Sequence, residues 1–159
     1  MSTLLARRFR VDIDTSTTST PDWEQFKGIT ALTFNPSEPT VQDASTYDND
    51  GWGTSEKTMQ RWSLAITANI VKDDDDDLRD PAQEAVRAAA IAFGGAARVR
   101  VRIYDRNGEP EAYQGVALAQ YAPAGGGTDA LDSATFTLSG DGRLVPITNP
   151  ADSAPVTTP

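Results

Sequence analysis

QRWSLAITANIVK, residues 60–72, carries Trp62, Leu64, Ile66, Ala68 and Ile70 on one register, with Arg61, Ser63, Thr67 and Asn69 on the other. A period of two is the mark of a half-buried strand, because successive side chains leave a pleated backbone on opposite faces. The stretch therefore predicts a long strand, central in its sheet. The same alternation recurs on both sides of it. In RFRVDID, residues 8, 10 and 12 are charged while Phe9, Val11 and Ile13 are apolar. GITALTF, Gly28 to Phe34, is an apolar run of strand length, and ARVRVRIYD sets Val99, Val101 and Ile103 against Arg98, Arg100 and Arg102. Asn107-Gly108 follows, a dipeptide suited to a hairpin turn, and EAYQGVALAQY returns from it. SATFTLSG and RLVPI, joined through Gly140-Asp141-Gly142, predict a closing hairpin.

One segment has the other period. Asp80 suits an N-cap and Pro81 the first helical position; Val86, Ala89, Ala90 and Phe93 then form an i, i+3, i+4, i+7 stripe that Gly94-Gly95 ends. Together these segments predict a mainly β, α+β chain of antiparallel strands with one α-helix. The expected organisation is one domain over residues 1–150 and a disordered Pro/Ser/Thr tail over residues 151–159.

Composition excludes several chemistries. The chain of 159 residues has no cysteine and no histidine, which removes disulfides, thiol nucleophiles, structural zinc sites and every Ser-His-Asp arrangement. The net charge of -9 argues against a general nucleic-acid binder, which needs clustered cations. With no long apolar run and no signal-peptide core, the expectation is a soluble, unexported chain without a membrane partner. A carboxylate hydrolase has only an unspecific supply of acids behind it, so the expectation is no enzyme and no cofactor.

Candidate sites divide by the same logic. Asp73 to Asp77 lack the glycine and bidentate glutamate of a calcium loop, and consecutive side chains diverge rather than converge, so the run reads as a solvated connector. TYDNDGWGTSEK resembles an EF-hand loop in its middle, but Thr46 and Lys57 fall where carboxylates belong. No metal site is expected. The same stretch lies in an expected loop from Asp43 to Met59, long enough to be functional, and its Tyr47 and Trp52 are candidates for protein contact. Arg98, Arg100 and Arg102 are expected to pair with acids, within the sheet or across a subunit boundary.

The order of parts resembles the tail tube, or major tail, proteins of long-tailed bacteriophages. Its tightest fragments are Tyr113-Gln114-Gly115-Val116 and the stretch from Asp132 to Pro150, and the likeness spans roughly residues 8–150. The resemblance implies an antiparallel β-sandwich or barrel with one α-helix packed at its side, and a structural virion protein assembled in the host cytoplasm, whose six copies close into a ring and whose rings stack into a hollow tube. It further implies contacts with other tail proteins such as the tape measure and terminator, and viral DNA passing through an acidic lumen without specific binding. Tyr47 and Trp52 would then make ring-to-ring contact. The other expectation is a monomeric β-sandwich binding module, a decoration or adhesion domain using its exposed loops.

Overall fold

A computed structural model describes residues 1–151; the tail expected over residues 151–159 therefore falls almost wholly outside the described residues. The described chain is mostly antiparallel sheet with one α-helix. Its strands are β1 (Phe9–Asp14), β2 (Trp23–Gln25), β3 (Ile29–Asp43), β4 (Ser55–Asn69), β5 (Arg98–Asp105), β6 (Ala112–Pro123), β7 (Ser133–Gly140) and β8 (Val145–Pro146), with α1 (Pro81–Ala90) between β4 and β5. Hydrogen bonding runs in the order β2-β1-β5-β6-β7-β4-β3, and β8 adds to β6 beyond the end of β7.

The period of two sets the core. Val11, Ile13, Leu64, Ile66, Val101, Ile103, Phe136 and Leu138 all lie on one face and are fully buried. The sheet rolls around them until its distant strands meet. Phe9 of β1 and Phe34 of β3, far apart in the strand order, stack edge to face with centroids 6.1 Å apart, and Phe34 also reaches Tyr113 at 5.6 Å. A rolled antiparallel sheet without hydrogen-bonded closure results, and α1 lies over the inner face of β6, β5 and β1.

Trp62 shows why two glycines sit where they do. Its indole packs on the backbone of Gly115 in β6 and Gly140 at the end of β7, so a Cβ on Gly115 would come within 2.7 Å of Trp62 Cζ2. The YQGV and LSG fragments are thus the bed of one tryptophan.

Several sequence expectations are corrected. β3 does not stop at Phe34 but continues through Pro36 and Pro39 to Asp43, accommodated by register shifts between Asn35 and Glu38 and between Thr40 and Val41. Prolines remove ladder donors and are tolerated on an edge strand, which β3 is. β4 likewise begins at Ser55, so the expected loop from Asp43 to Met59 shrinks to Ala44–Thr54. β4 is an interior strand, although next to the edge rather than central. The expected hairpin of SATFTLSG with RLVPI does not form: the Asp141 N–H donates to the Val116 carbonyl, Gly142 takes φ +89°, and β8 pairs with β6 instead. The helix ends at Ala90, so Phe93 is not part of a buried stripe and stands exposed. β2 has no signal in the sequence, because its three residues are too few to show an alternation.

Candidate functional site

The feature that stands off the body is the β3–β4 hairpin. Asn35 to Asp43 pair with Ser55 to Ser63 in a two-stranded ribbon whose residues from Asn35 to Asp43 and from Ser55 to Arg61 are all exposed. The partner of β4 on its other side is β7, and that pairing stops at Ser63 with Ser139. Beyond that point the ribbon projects unsupported for roughly 20 Å at the usual rise per residue. A two-stranded ribbon without a packed face is marginal in water by itself. Val41 and Met59 remain exposed on it.

The tip is ordered by its own side chains. Thr46 and Asn49 cap a 3-10 turn, Tyr47–Asn49, with the Thr46 N–H and hydroxyl both donating to Asn49 Oδ1 at 2.8 and 2.7 Å. Asp43 accepts from the Ser45 N–H at 2.9 Å, and the Ser45 hydroxyl first, with this N–H second, holds its carboxyl below the usual range. Asp50 and Gly51 then adopt positive φ, 51° and 82°, which reverses the chain. Tyr47 and Trp52 are left outermost, Trp52 at 81% exposure. A cleft of about 1000 Å³ opens at the arm's root, between Met59 to Trp62 on one side and Gly140 to Leu144 on the other.

The arginine ladder lies on the outward face of β5, opposite the core, and each member meets an acid of this same chain. Arg102 bonds Asp12 of β1 at 2.8 Å, Arg100 approaches Asp14 of β1 at 3.7 Å, and Arg98 reaches Asp141 after β7. Asp12 is wholly buried and also accepts from Arg10 Nε at 3.0 Å and the Tyr104 hydroxyl at 2.9 Å. The Arg102 guanidinium lies over the Trp23 ring at 4.7 Å. Burial pushes the Tyr104 phenol above its ordinary range, with its bond to Asp12 acting the same way. This cluster joins β1, β5 and β2 on the side away from the core, and neither Trp23 nor Tyr104 was singled out by the sequence.

Asp80 and Pro81 begin the helix. Asp80 Oδ2 accepts from the Gln83 N–H and from the Lys27 N–H, both at 3.3 Å, while Gln83 Nε2 donates to the Lys27 and Asn69 carbonyls at 2.8 and 2.9 Å. The cap thus ties α1 to the end of β4 and the entry to β3. Burial raises the Asp80 carboxyl above its usual range in spite of these bonds. The aspartate run before it is exposed and closes a turn: Asp73 and Asp76 accept from the N–H groups of Asp75 and Leu78, and Lys72 Nζ bonds Asp77 at 2.9 Å. Among the described residues no cluster of acids converges on a metal-sized point.

No family model and no curated protein sequence matches the chain. Solved structures do. A protein in the tail of an empty gene transfer agent particle, refined with C6 symmetry, aligns at a TM-score of 0.69 and 14% identity, covering 91% of this chain and 99% of that one. A subunit of the SPP1 tail tube aligns at 0.60 and 11%, covering 92% and 81%. A chain of the sheath-tube complex of an extracellular contractile injection system aligns at 0.59 and 10%, covering 90% of each. At such identities the likeness is one of fold, and it extends over about nine-tenths of the chain.

Proposed function

We propose that the chain is a structural, non-catalytic tail tube subunit of a phage-like particle, forming hexameric rings that stack into a hollow channel for DNA. The observation that carries the reading is the β3–β4 arm on this fold. It exposes two aromatic residues at the end of a ribbon that has no packed face of its own, so the arm gains a partner only by reaching another molecule. Tyr47 and Trp52 anchor that contact in the next ring, since aromatic side chains bury large area at low entropic cost.

Head-to-tail contacts between identical subunits build rings where the rotation closes and filaments where it does not. Free sheet edges, a hazard for a monomer, then become interface. The arginine ladder serves the sheet of its own subunit by pairing with Asp12, Asp14 and Asp141. The tube is assembled in the host cytoplasm, works in the virion, and meets the tape measure and terminator proteins at its ends.

The test shortens Ser45–Ser55 to a Gly-Ser bridge. The reading expects an unchanged circular dichroism spectrum together with loss of the sedimenting polymers formed by the intact chain. Polymers of normal length from the shortened chain would refute the role of the arm.

A further inference from the structure

The arm's tip carries charge of one sign. From Asp43 to Thr54 the chain holds Asp43, Asp48 and Asp50 and no cation. All three are exposed, and among the described residues none has an ion-pair partner. They flank Tyr47 and Trp52, so a surface that receives the tip must offer apolar area and positive charge together. The tip cannot meet its own body, because the paired ribbon holds it roughly 20 Å from the root.

Most cations of the chain are already engaged. Lys72, Arg79 and Arg87 pair with Asp77 and Glu84 on the helix side, while Arg98, Arg100 and Arg102 pair with Asp141, Asp14 and Asp12. Lys27 lines a pocket that also holds Glu24, Asp73, Asp76 and Asp80, acids that would repel the tip. Among the described residues the arginines without a carboxylate partner are Arg7, Arg61, Arg106 and Arg143. They fall in two places. Arg7 and Arg106 border a cavity of about 140 Å³ beside Phe9 and Ile29, too small for two aromatic rings. Arg61 and Arg143 line the cleft of about 1000 Å³ at the arm's root.

The root cleft meets both requirements. Met59, Trp62, Leu118 and Leu144 supply its apolar lining. Glu38 stands opposite Arg61 in the ladder but accepts from the Ser63 hydroxyl at 2.6 Å, and Asp141 is held by Arg98, so neither acid ties up Arg61 or Arg143. We infer that this cleft receives the arm tip of a second copy of the chain, with Tyr47 and Trp52 against its apolar lining and the tip aspartates meeting Arg61 and Arg143. The inference rests on the tube reading above and names the surface that the arm finds. An arginine beside Trp52 adds cation–π attraction as water leaves the cleft. Tip and cleft are different surfaces of one chain, so each added copy brings a fresh cleft and the contact propagates instead of closing a pair.

The chain has no cysteine, so a pair of introduced thiols reports one contact. Gly53→Cys puts a thiol beside Trp52, where an added side chain meets only Ser45 Oγ at an ordinary 3.8 Å. Gln60→Cys puts one on the root cleft and Ala31→Cys one on the smaller cavity. Gly53→Cys chains are mixed with chains of either other variant, assembled, and oxidised with copper phenanthroline. The expected result is a reducible dimer with Gln60→Cys and none with Ala31→Cys, beyond what each variant gives alone. In a second experiment, Arg61→Glu/Arg143→Glu should lower the sedimenting polymer at fixed concentration by roughly tenfold or more, with an unchanged circular dichroism spectrum. A dimer with Ala31→Cys in place of Gln60→Cys, or with neither in tubes that form, overturns the inference and leaves the tube reading standing. So does undiminished polymer from the folded arginine variant. If the arginine variant fails to fold, or Gly53→Cys chains fail to assemble, the other experiment decides. Failure of the unsubstituted chain to form tubes refutes the proposed function itself, a distinguishable outcome.

Discussion

Replacing Gly140 by alanine puts a methyl group into the face of Trp62. The added Cβ would lie 2.5 Å from Trp62 Cδ1 and 2.6 Å from Cε2, distances at which something must move. The ring cannot easily give way, because Trp62 is 3% exposed and its other edge rests on Gly115. Overpacking of this kind typically costs 1–3 kcal/mol, and a clash with several atoms of one rigid ring belongs at about the upper end. For a domain of this size that corresponds to a fall in Tm of roughly 6–12 °C. The indole N–H is buried without a hydrogen-bond partner, so Trp62→Ala removes both the clashing ring and an unsatisfied donor worth about 1–3 kcal/mol, although the cavity it leaves is itself costly. The double variant Trp62→Ala/Gly140→Ala should recover at least about 1 kcal/mol relative to the sum of the single changes. Thermal unfolding followed by near-ultraviolet circular dichroism reads all three. A Gly140→Ala protein within about 0.5 kcal/mol of the parent, or additive single changes, would refute this account of the Trp62 packing.

Other perturbations test the rest of the frame. Ala89→Asp places a charge on the buried face of α1 and should cost roughly 3 kcal/mol or more in urea unfolding; an equally stable variant would show that α1 does not pack as described. Arg102→Ala leaves the buried Asp12 with only Arg10 and Tyr104 and uncovers Trp23, for an expected loss of about 2 kcal/mol by the same measurement. Asp80→Ala removes the helix cap and should cost about 1–2 kcal/mol, while Asp80→Asn keeps an accepting oxygen and should cost less. Because burial raises the Asp80 carboxyl in the folded state, the native protein holds that proton more tightly than the unfolded chain. Its contribution is greatest below the ordinary aspartate pKa and is lost as pH rises through the raised value, so Asp80→Asn should remove this component from the pH dependence of stability.

What the sequence revealed follows from burial. The alternation of Val11, Ile13, Leu64, Ile66, Val101 and Ile103 was legible because one face of each strand is packed and the other is wet. Asp80 and Pro81 were legible because capping is a local matter of one side chain and the next turn. The arm was not, for the opposite reason. PSEPTVQD and SEKTMQR are exposed on all sides, so no hydrophobic period marks them, and Pro36 and Pro39 count against a strand until β3 is seen to be an edge. Phe93 misled because it continues the apolar spacing of α1 past Ala90, where the chain has already left the helix. The acids facing Arg98, Arg100 and Arg102 were beyond reach as well. They come from β1 and from the turn after β7, and only the strand order brings them together.

Electron microscopy of the purified, unmodified chain at high concentration tests the central claim most directly. The account predicts hollow rods of stacked six-fold rings, built with no other protein present. A uniform population of single particles, sedimenting near 17.0 kDa at every concentration, would contradict it and favour a monomeric binding module.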